Sequence, residues 1–279
     1  MVEVSFITFT RNSAHRLRGL LEHVKDVVDE IIVVDGYSTD RTVDVARSYG
    51  AKVYQRRPWG FVEPDRVFAL KQASYDWILY LDDDERLSSK LKRDLKSLID
   101  YAESNDICAF RIVRVNLTPQ GKPILGPFYP DGQIRIFKKD RALYRGLVHE
   151  LPEIQGKILA LPDEYYIIHL WNKIWSRKQA QYARIQALQY FKIEHPSKIR
   201  RVLWHSLPAT SIPYYFYLLY AYSLRGKKTF NLEAIRCTIG KMLYDSLLFT
   251  LIKLRSKKQK EIAKLISEKG FIQILKLDA

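Results

Sequence analysis

Cysteine is almost missing from this chain of 279 residues. The two that occur, Cys108 and Cys237, lie far apart, which excludes a disulfide framework, and no Cys-x-x-Cys pair offers a zinc site. Methionine is as rare, at two, and asparagine is infrequent, a composition that avoids thermolabile residues. The opening Met-Val-Glu-Val-Ser-Phe-Ile has no basic-then-apolar leader, so secretion is not expected. Acidic residues are scarce in the back half. Residues 1–150 carry 24 basic and 22 acidic side chains, whereas residues 151–279 carry 22 basic and only 9 acidic. The net charge of +15 is therefore concentrated in the second half, as expected of a near-neutral domain followed by a segment that meets an anionic surface. A hydrophobic fraction of 47% rules out wholesale disorder, and the length allows one large domain or two small ones.

The front half alternates strand and helix signals. Val4–Phe9, Ile31–Val34, Lys52–Gln55 and Trp77–Leu81 read as short apolar strands. Between them, Ala14–Val28, Val43–Tyr49 and Arg66–Ser74 read as helices, and Ser88–Ala102 follows as an amphipathic one. Ser38, Thr39 and Asp40 are N-cap residue types ahead of the second helix. This β-α-β-α-β order predicts a parallel, doubly wound sheet. From Cys108 to Ile168 the helical signal fades, and β-type runs such as Ala109–Val115 and Gln133–Phe137 are broken by glycine and proline. Ser176–Phe191 is again helical in character.

Val202 to Leu224 is a run of 23 uncharged residues between Arg201 and Arg225. At ~1.5 Å per residue it matches a hydrocarbon core of ~30 Å. Trp204 and the tyrosines at 214, 215, 217, 220 and 222 suit a membrane interface, while Pro208 and Pro213 would kink a spanning helix or turn it into a re-entrant one. Ile235–Leu254 is a weaker candidate because it carries Arg236, Lys241 and Asp245. If both cross, the clusters Lys198–Arg201 and Lys253–Lys260 share the side of the front domain, which the positive-inside bias makes cytoplasmic. Ile262–Leu277 is amphipathic and suits the membrane surface. A core helix of a soluble domain is the alternative reading of the long run. The expected division is a domain over 1–195 and a helical, membrane-associated region over 196–279.

Asp35 and Asp82-Asp83-Asp84-Glu85 each follow a predicted strand, where open α/β sheets bind ligands. Four adjacent carboxylates repel one another unless a cation or hydrogen-bond donors compensate them. Extended backbone would turn Asp82 and Asp84 to one face, and hard oxygen ligands at that spacing suit Mg²⁺ or Mn²⁺ completed by phosphate and water. A solvated run opening the next helix is the plainer reading.

Several segments together resemble the family 2 glycosyltransferases of GT-A fold. They are Thr10-Arg11-Asn12, the stretch Ile-Val-Val-Asp35-Gly-Tyr-Ser38-Thr-Asp40-Arg-Thr42, Trp59-Gly60-Phe61 with Arg66 and Ala69-Leu70, and Asp76-Trp-Ile-Leu-Tyr-Leu-Asp82-Asp-Asp84-Glu85. Tyr129-Pro-Asp131-Gly-Gln133-Ile-Arg135-Ile-Phe137 and Val148-His149-Glu150 point to the subgroup acting on lipopolysaccharide core and lipid-linked glycans, dolichyl-phosphate mannosyltransferases among the relatives. The resemblance covers roughly residues 2–190 and implies a Rossmann-like mixed sheet with helices on both faces. It also implies roles. Asp35 would bind the nucleotide base, with Thr8 and Arg11 lining the pocket. Asp82 would contact ribose or metal, Asp84 would bind the metal, and His149 is a further candidate ligand. Glu150 matches the catalytic base, with Asp131 the runner-up. Arg66 would lie near the diphosphate, and Gln181 with Arg184 would bind it from downstream.

The chain departs from the family's pattern in places. Asn12-Ser13 stands where Asn-Glu is frequent, Arg66-Val67 replaces a Lys-Asn pair, and Ile185 replaces the tryptophan of the Gln-x-x-Arg-Trp motif found in processive relatives. The resulting expectation is a metal-dependent inverting hexosyltransferase at the cell membrane, its catalytic domain cytoplasmic. The donor would be GDP-mannose or UDP-glucose and the acceptor a lipid-linked one. A non-enzymatic binder of acidic lipid or RNA is the alternative. RNA is disfavoured because the aromatics gather in an uncharged run rather than among basic residues.

Overall fold

A computed structural model describes residues 2–58, 62–118, 120–124, 129–144, 151–170, 235 and 238–246. It divides into two units: residues 1–58, 62–123 and 129–171 form the first, and 59–61, 124–128 and 172–279 the second. In the first unit the chain runs β1 (Val4–Thr10), α1 (Ala14–Val24), β2 (Glu30–Asp35), α2 (Thr42–Ser48), β3 (Lys52–Gln55), α3 (Glu63–Gln72), β4 (Trp77–Tyr80), β5 (Glu85–Leu87) and α4 (Ser89–Ser104). It continues through β6 (Ile107–Leu117), β7 (Asp131–Lys138), β8 (Ala142–Leu143), β9 (Glu153–Ile154), β10 (Lys157–Ala160) and β11 (Tyr166–Leu170).

The main sheet runs β3-β2-β1-β4-β7-β6-β11-β5, with β10 also on β6 and β8 pairing β9 separately. The first four strands are parallel, as the alternating strand and helix signals require. β7 is antiparallel to both of its neighbours, which makes the sheet mixed. β6 is long enough to pair twice, with β10 along Ile107–Arg111 and with β11 along Val113–Leu117.

Central parallel strands are covered on both faces, and β1 is buried along its whole length. The two faces alternate residue by residue. Val4, Phe6, Val33 and Leu79 meet Leu17, Leu20, Leu21 and Val24 of α1 and Leu91, Leu95 and Ile99 of α4. Ile7, Phe9, Ile32 and Ile78 meet Ala69 and Ala73 near and beyond the end of α3. The α1 spacing of three, one and three is a single helical stripe. Ser88 starts α4 by accepting from the Leu91 N–H. Residues 1–35 in the β1-α1-β2 unit thus follow the sequence pattern closely, apart from α1, which stops at Val24.

Two expectations fail locally. Ser38 and Thr39 do not cap α2. Ser38 instead accepts from the Asn12 N–H, and the Thr39 N–H donates to the Asn12 side chain, so they tie the β1–α1 and β2–α2 loops together. Asp40 accepts from the N–H of Thr42, the first residue of α2, at 3.0 Å, but the N-cap position itself is Arg41, whose side chain makes no capping bond. The acidic run does not lie in extended backbone. Glu85 N–H donates to the Asp82 carbonyl, a tight turn, and Glu85 itself opens β5. Such a turn leaves Asp82 and Asp84 with separate surroundings.

In the second unit residues 238–246 are helical, with Lys241 and Asp245 paired one turn apart. The Val202–Leu224 run, Ser176–Phe191 and Ile262–Leu277 lie outside the described residues. Among the described residues no helix is long and apolar enough to cross a membrane.

At the amino edge of the sheet, the Glu30 side chain is only 5% exposed. Burial pushes its carboxyl up, but Lys52, the Ser5 hydroxyl and both the N–H and hydroxyl of Ser74 outweigh that, leaving it at about 2 against the ordinary 4.5. The charged form is favoured in the fold, so this stability is complete above pH 4.5 and is lost as pH falls towards 2. Urea unfolding across pH should show the wild type losing on the order of a few kcal/mol through this window. Glu30→Gln should be less stable at neutral pH and show a shallower acid slope.

Candidate functional site

Strand order reverses between β1 and β4, and sheets of this kind take ligands beside such a switch, at the carboxyl ends of the strands, here β1, β2 and β4. Register alone brings Thr10, Asp35 and Gln55 side by side across β1, β2 and β3. Asp35 is fully buried. It accepts from the Ser38 N–H at 2.9 Å, from the Ser38 hydroxyl, and from Gln55 Nε2 at 3.1 Å. A carboxylate accepts about four hydrogen bonds, so one acceptor position is left after these three. Thr8 and Thr10 are buried on the same strand with hydroxyls that find no partner among the described residues. Arg11 is exposed and lies over Gly36, where a Cβ would come within 3.3 Å of its side chain.

Tyr37 sits between these groups with a positive φ of 54°, and 55% of it is exposed. The hydrogen bonds of Ser38 and Thr39 to Asn12, itself at φ 49°, hold the loop in this conformation. Glycine carries no penalty there.

Each member of the acidic turn has its own partner. Asp83 receives the Ser13 hydroxyl and faces Arg16 at 3.4 Å; burial still pushes its carboxyl above the ordinary value. Asp82 receives the Tyr80 hydroxyl on one oxygen and Arg135 Nη2 at 3.3 Å on the other. Glu85 is wholly buried and gripped by two guanidiniums: Arg135 through Nε at 2.8 Å and Nη2 at 2.9 Å, and Arg114 through Nη1 at 2.9 Å. Burial pushes the Glu85 carboxyl up, and these cations bring it well below the ordinary carboxylate range. Arg114 also holds Asp131, through Nε at 2.8 Å and Nη2 at 2.7 Å, while Gln133 donates to the other Asp131 oxygen at 2.6 Å. Arg66 is buried next to Tyr80, its Nη2 at 3.4 Å from the hydroxyl, which places it one side chain from Asp82.

Asp84 has a partner that sequence reading passed over. His169 on β11 is the register partner of Glu85, and the Leu170 N–H donates to the Asp84 carbonyl. These backbone ties set His169 Nε2 3.7 Å from Asp84 Oδ1. On the ring's far side Nδ1 lies 2.6 Å from the Asn116 amide oxygen, its neighbour across β6. An amide oxygen only accepts, so Nδ1 donates to Asn116, and Nε2 is the ring nitrogen that faces Asp84. Burial pushes the Asp84 carboxyl up, and His169 more than offsets it, so the carboxyl titrates below its ordinary value. A carboxylate and an imidazole oriented by an amide oxygen are a donor set suited to a divalent cation. Among the described residues no three His, Cys, Asp or Glu side chains converge on one point. A half-site of this kind suits Mg²⁺ or Mn²⁺, which keep several water and phosphate ligands. The remaining candidates, Glu150, His149, Gln181 and Arg184, lie outside the described residues.

A doubly wound α/β domain with an acidic turn at its strand-order switch is the class this fold and site define. The chain belongs to glycosyl transferase family 2, whose domain matches residues 5–156. It is 36% identical over 110 residues to an uncharacterized glycosyltransferase of Rickettsia bellii, covering 39% of this chain and 37% of that protein. It is 32% identical over 122 residues to the lipopolysaccharide core biosynthesis glycosyltransferase LpsC of Rhizobium meliloti, covering 42% of each. The matched stretch thus spans about two-fifths of the length of these relatives. Among solved structures it is similar to S. aureus TarS 1–349 in complex with UDP-GlcNAc, with TM-score 0.49 and 16% identity over 92% of this chain and 93% of that one. The Pyrobaculum calidifontis mannosyltransferase PcManGT in complex with GDP-Man and Mn²⁺ gives TM-score 0.47 and 14% identity over 91% and 87%.

Tyr37→Gly should raise the stability of the first unit by roughly 1 kcal/mol, because a bulky residue at positive φ costs about that much. A melting temperature higher by about 2–4 °C is the expected reading. A lower one would mean that the tyrosine side chain supports the loop.

Proposed function

We propose that this chain transfers a hexose from a nucleotide sugar to a lipid-linked acceptor, inverting the anomeric centre. The observation that carries the reading is the Asp84–His169 pair beside Asp82, at the carboxyl edge of a family 2 domain. In this reading an acceptor oxygen attacks the anomeric carbon from the face opposite the diphosphate. The bond between that carbon and the phosphate oxygen breaks, and the nucleoside diphosphate leaves with the electron pair. In-line displacement inverts the configuration.

This chain's residues divide the work. Asp35 offers its remaining acceptor position to the nucleotide base, with Thr8 and Arg11 along the same pocket. Asp82 meets the ribose or the cation. Asp84 and His169, with His149 a further candidate, would hold Mn²⁺ or Mg²⁺. Bound there, the cation would supply positive charge against the leaving diphosphate. Arg66, Gln181 and Arg184 add fixed cationic and hydrogen-bonding groups for the same phosphates. Glu150 takes the acceptor proton. Asp131 has both oxygens engaged, by Arg114 and Gln133, so it suits anchoring better than proton abstraction. An acceptor that is itself an ionised phosphate would need no base.

Likeness to a lipopolysaccharide core enzyme supports a lipid-linked glycan as acceptor. The uncharged run Val202–Leu224 and the basic cluster Lys198–Arg201 are proposed to seat the lipid and its phosphate at the membrane, with the domain on the cytoplasmic side. GDP-mannose is the leading donor and UDP-glucose the second.

Asp84→Ala should lower turnover by roughly 10³-fold or more with an unchanged melting temperature, since it removes a group acting where charge develops. It should also abolish the thermal stabilisation given by Mn²⁺ with a nucleoside diphosphate. Undiminished transfer would remove Asp84 from the reading. The chain should require detergent or anionic vesicles to stay dispersed. A clean monomer purified without either would contradict the membrane part.

A further inference from the structure

Five side chains of alternating charge form an unbroken line beneath the acidic turn: Asp131, Arg114, Glu85, Arg135 and Asp82. The line starts on β7, crosses β6 and β5, returns to β7 and ends just past β4. Its middle, Glu85 and Arg135, is buried, while Arg114 is 20% exposed. The side chain of Glu85 is 0% exposed and that of Arg135 is 4% exposed, whereas Asp82, at one end, is 36% exposed.

Counting charges shows where the imbalance sits. Three carboxylates and two guanidiniums leave one negative charge over. Asp131 does not hold it, because Arg114 closes on one of its oxygens through two nitrogens and Gln133 occupies the other. Glu85 does not hold it either, because both of its oxygens are gripped by Arg135 and one also by Arg114. Only Asp82 has a single, longer contact to a cation, 3.3 Å to Arg135 Nη2. The uncompensated charge is thus delivered to the half-exposed end of the line, in the crevice.

Orientation is fixed in the same way. Tyr80 donates its hydroxyl to one Asp82 oxygen, and Arg135 donates to the other. The Arg135 guanidinium also lies 4.7 Å from the centroid of the Tyr80 ring, so the two donors brace each other. A merely structural role would not need this pair of charges. A buried Arg–Glu pair gains little stability over apolar side chains of similar volume, and Glu85 already has a second cation in Arg114.

We propose that Arg135 and Tyr80 are positioning residues for Asp82: anchored on Glu85, they fix its carboxylate between two donors and leave its charge directed at the donor nucleotide. This rests on the sugar-transfer reading and adds to it the residues that set the geometry of Asp82. Neither side chain need touch the substrate.

Three variants test it: Tyr80→Phe, Arg135→Lys and the double variant Arg135→Met with Glu85→Leu. The measurements are melting temperature, kcat and KM for whichever of GDP-mannose and UDP-glucose the wild type turns over, and calorimetric affinity for the matching nucleoside diphosphate with Mn²⁺. Tyr80→Phe keeps the buried ring and removes two hydrogen bonds, the one its hydroxyl donates to Asp82 and the one it accepts from Arg66 at 3.4 Å. It should lower kcat about 10- to 100-fold, the usual cost of losing a group that orients a liganding side chain, with donor KM and melting temperature little changed. Arg135→Lys should retain more activity than the double variant, although the double variant keeps or gains thermal stability. Wild-type kcat in Tyr80→Phe and in the double variant, or activity that falls only in step with melting temperature, would overturn the inference. A wild-type chain that turns over neither donor and binds neither diphosphate would defeat the sugar-transfer reading, and this inference with it. An active wild type with unaltered variants would defeat this inference alone.

Discussion

Glu85 has no access to water, and a bare carboxylate in that position would cost several kcal/mol. It stays charged because two arginines close on it, one from β6 and one from β7. Much of the carboxyl edge follows from that requirement. The arginines must come from strands adjacent in the sheet, so the antiparallel insertion of β7 between β4 and β6 is what makes the pairing reachable. Once assembled, the pair ties Asp131 and Asp82 into one line, and the acidic turn becomes a set of individually partnered groups instead of four repelling charges. Asp84 is paired with His169 from β11.

The same logic explains why the crevice can be acidic and still stable. Each carboxylate of the turn is matched by a donor from a different element: Ser13 and Arg16 from the β1–α1 region, Tyr80 at the end of β4, Arg135 from β7, His169 from β11. The surrounding core, with apolar side chains on both faces of β1, holds those elements in register. Chemistry and packing meet at Tyr80, whose ring is buried in the core face of Ile7 and Phe9 and whose hydroxyl reaches Asp82.

Local pattern carried the fold a long way. Trp-Ile-Leu-Tyr and Lys-Val-Tyr-Gln are strands, and the leucine stripe from Leu17 to Val24 is a helix face, because periodicity reports burial directly. The mixed character of the sheet was less legible. β5 and β11 are short and pair at long range, and nothing local in Glu-Arg-Leu announces a strand. At the site, Asp35 and the acidic run could be placed from their positions after strands. His169 could not, since its link to Asp84 depends on β11 meeting β5 across some eighty residues of chain. One signal was available and went unused. Arg135 stands between Ile134 and Ile136 in a short apolar stretch of β7, and a buried arginine requires an acidic partner.

Diffraction from crystals grown with Mn²⁺ and a nucleoside diphosphate, collected at the manganese edge, tests the central claim most directly. The account predicts one anomalous peak bonded to the Asp84 carboxylate and the His169 Nε2, with diphosphate oxygens completing its shell and the Glu85 line intact beneath. A nucleotide bound away from this edge, or a peak that leaves both Asp84 and His169 untouched, would contradict it.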